Sequence, residues 1–344
     1  MTRHPLLIAV LTTDLLTFLL VLAAAVTAFR IALHWDPKDT GEGQLRLQTQ
    51  SETAALAIAW AFGLHLFATA ALVYGLTNLL PDMVPGAMCG TGVIQAMHSG
   101  GPRMVIFRLL GLVILWVWRR MEKVNQSQPE GPLVPINARL ILLALPVFGL
   151  ALQAFWQASL AMDLQQPVDC CAVIYDQFAS RQEALLTMGV ASPIWLTVFG
   201  GLTVTVAAGA LVVWQTPTRR RLMMVLPVLA GAWLPVAAIT LVRILSAGHY
   251  GVLHHHCPWC LFLPEHHLAG FPIWAAWMLV AMETPAVLVL ATVAVRQPAA
   301  VGRAARHQAG YAARNSLLAI LLFAVLAAGP TIWWRLHFGN WLIG

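Results

Sequence analysis

The chain has 344 residues, of which 59% are hydrophobic and only 10% are charged, and its mean hydropathy is +0.75. Average soluble domains carry about 25% charged residues, so this composition excludes a soluble globular protein. The net charge of +6 comes from 20 Lys and Arg residues that stand in short clusters between apolar stretches. This pattern is typical of topology signals in a membrane protein, and it argues against a nucleic-acid partner.

Eight apolar runs follow one another along the chain, and a run of about 18 residues is enough to cross a hydrocarbon layer of roughly 30 Å. They predict an all-α integral membrane protein, a polytopic bundle that forms a single transmembrane domain over residues 1–344. The third run is the weakest because it contains Arg108, whose side chain we expect to snorkel toward the nearer membrane surface. The predicted spans lie near residues 5–29, 54–80, 102–118, 140–162, 188–214, 222–245, 271–295 and 316–334.

The first run has a second interpretation. It follows Arg3 and ends in Ala-Ala-Val-Thr-Ala, which a cleaved signal peptide would also show. Asp14 in the middle of the run, and an apolar length beyond that of an ordinary signal peptide, favour a retained helix.

The distribution of positive charge predicts the orientation. Fourteen of the 20 Lys and Arg residues lie in the loops that follow odd-numbered spans, and six lie on the opposite side. Positively charged loops stay on the cytoplasmic side, so both termini are expected outside. We expect the protein to lie in a lipid bilayer, namely the bacterial inner membrane.

All five cysteines fall in the three long outer loops that this topology predicts. Cys89 lies in residues 81–101, Cys170 and Cys171 lie in 163–187, and Cys257 and Cys260 lie in 246–270. Nine of the twelve histidines share this side. The sequence therefore predicts outer loops that fold over one another and bring sulfurs of all three within bonding or common-ligand reach.

The segment from Gly248 to His267 has the highest density of chemically active side chains. Its Cys-Pro-Trp-Cys places Pro258 well for the first position of a short helix, with Cys257 as its N-cap. Backbone N–H groups, the helix dipole and protonated histidines would then favour a Cys257 thiolate, with Cys260 as the resolving thiol. The same sulfurs could instead bind a soft metal ion or form a static disulfide. The candidate metal ligands are Cys257, Cys260, Cys170, Cys171, His254, His255, His256, His266 and His267.

The other cysteines leave alternatives open. Cys170 and Cys171 are sequence neighbours, and a disulfide between neighbours is strained. They are therefore expected to reach separate partners or to bind one soft ion together, unless they are ordinary buried thiols. Cys89 stands in Met-Cys-Gly-Thr-Gly, where closely spaced glycines allow close approach of backbone or ligand.

Ionisable residues inside the spans form a second group. Asp14, His65 and Glu283 lie in the first, second and seventh predicted spans. Each costs free energy in the bilayer unless it pairs or lines a wet path. They predict an intramembrane proton or cation relay, or else three separate local pairings.

The Cys-Pro-Trp-Cys motif at an outer surface, with further cysteines in another outer loop, resembles the membrane dithiol oxidases of the disulfide-bond-formation and vitamin K epoxide reductase families. The resemblance implies electron transfer from thiols to a quinone. Those proteins are bundles of four or five helices, half the span count here, and their second cysteine pair is not vicinal. Neighbouring cysteines with histidine clusters also resemble membrane carriers of soft metals.

Three functions follow from these observations. The first is thiol–disulfide chemistry with a quinone, carried by Cys89, Cys170, Cys171, Cys257 and Cys260 and served by periplasmic thiol proteins. The second is binding or transport of Cu or Zn, supplied by a metal donor. The third is a structural subunit of a larger membrane complex.

Labelling tests the predicted topology. After reduction, membrane-impermeant maleimides should label all five cysteines from outside, because the 14-to-6 bias of Lys and Arg places their loops there. Labelling of any of them only after membrane lysis would contradict the topology.

Overall fold

A computed structural model of the protein describes residues 4–36, 41–128, 131–162, 168, 192–253 and 255–342. In these ranges the chain is predominantly helical, without a β-strand, and eight helices are long and apolar enough to cross a membrane. The predicted all-α polytopic protein is therefore confirmed. A protein with eight such helices contacts the lipid bilayer directly.

The described part of the chain contains ten α-helices, numbered here in chain order. The two short ones, α3 and α8, stand beside the cysteine-bearing loops, and the π-helical segment Leu241–Leu245 joins α7 to α8, so that Arg220–Tyr250 is one continuous span. Single 3-10 turns lie at Pro81–Met83, Cys260–Phe262 and Pro264–His266. The helices are α1 (Pro5–His34), α2 (Glu42–Asn78), α3 (Gly90–Ala96), α4 (Gly100–Gln126), α5 (Val134–Ala161), α6 (Ser192–Gln215), α7 (Arg220–Thr240), α8 (Ser246–Tyr250), α9 (Gly270–Arg296) and α10 (Ala299–Phe338).

Two helices extend well beyond their apolar runs. Helix α2 begins at Glu42 where the hydropathy pattern predicts residue 54, and α10 begins at Ala299 where it predicts residue 316. The added turns are rich in Ala, Gln and Arg, which favour a helical backbone without being apolar. Hydropathy therefore located the spans but underestimated these two helices.

Contacts between Cα atoms divide the chain into two compact units. The first unit contains residues 1–75, 94–163 and 288–309, and the second contains 76–93, 164–287 and 310–344. Within the first unit, α5 packs against both α1 and α4. Gly100 of α4 allows close approach to α5, since a Cβ there would meet backbone atoms of Ala158 at 2.9 Å. The single domain predicted from the sequence is untested by this division and stays a prediction.

A buried ion pair lies at the centre of the first unit. Arg108 of α4 donates to the carboxylate of Asp14 of α1, and its guanidinium lies 5.7 Å from the ring centroid of Phe155. The Arg108 side chain is 3% exposed, so the expected snorkelling is wrong. The physical reason is that a carboxylate on a neighbouring helix compensates the charge where it stands.

His65 of α2 joins this pair through the backbone. Its Nε2 lies 3.1 Å from the carbonyl oxygen of Arg108, and its ring packs edge-on against Phe148, with the centroids 4.7 Å apart. Asp14 and His65 are thus both bound to Arg108. Glu283 belongs to the second unit, where it accepts a hydrogen bond of 2.9 Å from Asn315. A relay through all three stays a prediction.

The second unit has an aromatic core. Trp233 of α7 is fully buried, packs edge-on against Phe323 with the centroids 5.2 Å apart, and donates its indole N–H to Thr203 at 2.9 Å. Phe199 of α6 meets the same Phe323 at 6.3 Å. These contacts join α6, α7 and α10 through side chains whose polar atoms are satisfied.

The Asp14–Arg108 pair can be tested by single and double substitution. Asp14→Leu or Arg108→Met should each lower the free energy of unfolding by about 3–5 kcal/mol, because each leaves an uncompensated buried charge. The double variant should recover most of this loss, as measured by thermal unfolding in detergent. Additive losses in the double variant would show that the two side chains do not act as a pair.

Candidate metal centre

Three cysteines meet in the second unit, each placed by a loop. Cys89 stands directly before α3, and its carbonyl accepts hydrogen bonds from the N–H groups of Gly92 and Val93 at 3.1 and 3.4 Å. Cys257 lies in a turn, and Cys260 begins the 3-10 turn that follows. The short helix expected at Pro258 is therefore wrong: the backbone turns at Pro258 and Trp259 and becomes 3-10 only at Cys260.

The sulfur atoms of these three residues form a compact group. All three Sγ atoms lie within 4.8 Å of one another, and those of Cys89 and Cys257 are 3.2 Å apart. The residues are 0%, 1% and 6% exposed, and none of the three is in a disulfide. We call this group the thiol triad. It joins sulfurs that are 168 residues apart along the chain, and these two loops fold over each other as predicted.

The Cys-Pro-Trp-Cys turn is held from three sides. The Tyr250 hydroxyl donates to the carbonyl of Cys257, and the Ser246 hydroxyl donates to the carbonyl of His255 at 3.3 Å. At the other end of the turn, Asn78 of α2 donates its amide N–H to the carbonyl of Phe262 at 3.3 Å. These bonds satisfy carbonyl groups of an irregular segment and fix its backbone.

Trp259 closes the triad from the side of α3. Its ring lies against Gly90, where an added Cβ would meet indole carbons at 2.9–3.0 Å. Trp259 also packs with Tyr250 and Leu263 on the buried cysteines. Gly90 is therefore required for close approach of the indole, in keeping with the expectation from the glycines beside Cys89.

Hydrogen bonding distinguishes the thiols. Hydrogen bonds from the Cys260 thiol, then from the Cys89 thiol, and further from the Thr91 hydroxyl stabilise the Cys257 thiolate. They outweigh the opposing effect of burial and lower the pKa of Cys257. The Thr91 oxygen lies 3.4 Å from the Cys257 sulfur. Interaction with Cys257 and with Cys89 raises the pKa of Cys260. The pKa of Cys257 is thus lowered by neighbouring thiols and not by a helix N-terminus, and its role as the attacking thiolate stays a prediction.

The histidines contribute differently from the prediction. His255 and His266 pack edge-on against the Tyr250 ring, with centroids 4.4 and 4.7 Å away. Burial, followed by the neighbouring His266 and His256, lowers the pKa of His255 to about 4, and burial also lowers that of His266. Because burial disfavours the charged imidazole, His255 can contribute positive charge to the thiolate only at a lower pH than an exposed histidine would.

The other candidate ligands do not join the three sulfurs in the described part of the chain. The group of potential ligands within 4.8 Å of one another contains no histidine, so His255, His256, His266 and His267 stand outside it. His267 and Leu268 both adopt left-handed backbone conformations, with φ of 56° and 55°. His254, Cys170 and Cys171 lie outside the described residues. Val168, two residues before Cys170, bonds through its N–H to the carbonyl of Pro85 at 2.9 Å.

Sequence reasoning missed three residues of the site. Thr91 touches the Cys257 sulfur, Tyr250 binds the Cys257 carbonyl, and Asn78 binds the far end of the turn. Thr91 stands two residues after Cys89, so proximity in sequence was a usable signal. Tyr250 lies beyond the predicted end of its span at residue 245, whereas Asn78 lies at the predicted end of the second span and gave no signal of its contact.

Comparison with known proteins gives no relative for this chain. No family model, no curated protein and no solved structure matches it. The resemblance to dithiol oxidases therefore rests on the motif alone.

Substitution of Gly90 tests the closure of the triad. Gly90→Ala should displace the Trp259 indole at a cost of about 1–3 kcal/mol, because the new methyl group overpacks the site. The alkylation rate of the triad thiols should then rise at least about fivefold, as opening becomes more frequent. Gly63→Ala is the matched control, since a Cβ there meets nothing within 4 Å. Trp259→Leu alone should also speed alkylation, because it removes the indole that covers the triad, and an unchanged rate in Gly90→Ala would contradict the steric mechanism.

Proposed function

We propose that this protein is a membrane protein that binds a soft metal ion, Cu(I) or Zn(II), at the thiol triad of Cys89, Cys257 and Cys260. The observation that carries the proposal is the mutual proximity of three buried sulfurs, all within 4.8 Å. A metal–sulfur bond of about 2.3 Å places the ligands of one ion roughly 3.8 Å apart. The triad can therefore adapt to an ion through small shifts of its side chains.

The chemistry of the ligands supports a soft ion. Thiolate ligands select Cu(I) and Zn(II) over hard cations such as Mg²⁺ or Ca²⁺. An ion displaces protons from the thiols that it binds, and the raised pKa of Cys260 makes that thiol harder to deprotonate than Cys257. Zn(II) usually takes four ligands, and the sequence offers His254, Cys170 and Cys171 as candidates for the fourth.

Burial separates metal binding from exchange with protein thiols. A substrate protein must bring its sulfur into contact with the attacking thiolate, whereas the triad residues are at most 6% exposed. An ion needs only a narrow entry path. We infer that the triad faces outward, as the charge bias predicts, and receives its ion from a donor on that side.

A redox function is the second candidate, favoured by the 3.2 Å contact between the sulfurs of Cys89 and Cys257. Two of the thiols would together lose two protons and two electrons to form a disulfide. A quinone would accept the two electrons and the two protons and become a quinol. The low pKa of Cys257 suits it for the attack. This candidate requires the turn to open for substrate.

Metal analysis tests the first candidate. The reduced, purified protein, exposed to Cu(I) or Zn(II) and desalted, should retain about one ion per chain and become resistant to alkylation at the triad. Cys89→Ser, Cys257→Ser and Cys260→Ser should each lose the ion, because each removes one of three ligands. Met88→Leu is the control, since it removes an exposed sulfur beside Cys89 without altering the triad.

The contrary results are equally specific. Retention of the ion by all three serine variants would place the metal elsewhere. Absence of metal together with a triad disulfide that forms only on addition of a quinone would favour the redox function instead.

A further inference from the structure

A large cavity lies in the first unit, apart from any residue of the thiol triad. Its volume is about 810 Å³, within the usual range for ligand sites. It is lined by the last turns of α1, the first half of α2, the end of α4 and the start of α5.

The polarity of the cavity changes along its length. On α2 the lining residues from Gln44 to Glu52 are polar except Leu45, and those from Ala54 to Ala59 are apolar. On α4 the lining residues from Arg119 to Gln126 are all polar or charged, and they occupy the end of that helix. Trp35 and Trp118 also line it, and tryptophan prefers the level where headgroups meet hydrocarbon. The cavity therefore suits a molecule with a polar head and an apolar tail.

The charged residues at the polar end of the cavity indicate the chemistry of the headgroup that it binds. Among the described lining residues, two are acidic, Glu52 and Glu122, and two are basic, Arg119 and Lys123. A headgroup with a single negative charge would bring no positive charge to compensate the two carboxyl groups. A head with both a phosphate and an ammonium group satisfies both signs.

Glu122 is the best-held member of this set. Asn137 donates to one of its carboxyl oxygens at 2.6 Å, and Gln126 donates to the other at 3.0 Å. These bonds fix the carboxyl group, and each oxygen keeps the capacity to accept another donor. At the apolar end, Leu56 is 61% exposed, which leaves a side opening toward lipid for a tail.

We propose that this cavity binds a zwitterionic phospholipid with a primary-amine head, phosphatidylethanolamine, with its phosphate at Arg119 and Lys123 and its ammonium group at Glu52 and Glu122. The glycerol region and the first part of the acyl chains occupy the apolar half. The remaining chain leaves beside Leu56. This site is independent of the function proposed for the thiol triad.

Native mass spectrometry of the full chain in detergent, titrated with defined lipids, tests the proposal. The unmodified protein should retain phosphatidylethanolamine at least about fivefold more than phosphatidylglycerol. Glu52→Gln/Glu122→Gln should abolish or reverse this preference, since one interfacial charge changes lipid affinity by about fivefold. Arg119→Gln/Lys123→Gln should weaken binding of both lipids.

Two further variants act as controls. Glu42→Gln/Arg46→Gln removes an exposed ion pair on α2 that does not line the cavity, and it should leave lipid preference unchanged. Ala59→Phe fills the apolar end at an exposed position, so the variant should fold with an unchanged melting temperature and still lose the lipid. Equal or stronger retention of phosphatidylglycerol, displacement of the lipid by an equal amount of a quinone, or full retention by Ala59→Phe would each overturn the proposal.

Discussion

The lack of water in the hydrocarbon layer is the constraint on which the rest of this structure depends. Backbone N–H and C=O groups must find partners within the protein, so the spanning segments are helical and irregular backbone is confined to the loops between them. The thiol triad illustrates the result, because all three cysteines lie in such loops, where a turn can aim two sulfurs at a third. The same constraint governs side chains, and Arg108 is tolerated within α4 because Asp14 compensates its charge.

The chemistry of the triad comes from combining burial with mutual hydrogen bonding. Burial alone would keep all three thiols protonated. The neighbouring thiols instead lower the pKa of Cys257 and raise that of Cys260, so these two thiols differ in how readily they lose a proton. Such a group suits the proposed binding of a cation that prefers sulfur, and its burial gives a bulky thiol substrate little access. This is the physical basis for ranking metal binding above dithiol exchange.

The parts of the structure that depend on local composition were predictable, and those that depend on distant contacts were not. Eight spans follow from apolar length, although polar helix-forming residues carried α2 and α10 beyond the predicted limits. The predicted topology places the loops of Cys89 and Cys257 on the same side of the membrane, and the contact between these loops was predicted on that ground. The partner of Arg108 is 94 residues away, and no pattern in the sequence pointed to it. The lowered pKa of His255 likewise depends on burial by residues that folding assembles.

The π-helical segment before α8 sets the direction in which Tyr250 points. A π segment turns through a smaller angle per residue than an α-helix, so over Leu241–Leu245 the helix lags a regular one by about a quarter turn. Tyr250 lies five residues beyond this segment, at the end of α8, and its hydroxyl donates to the carbonyl of Cys257. Regular α-helical winding at Leu241–Leu245 would turn α8 by that angle relative to α7. The winding of this segment within the long span Arg220–Tyr250 therefore sets the orientation of α8, whose last residue contacts the loop of the thiol triad.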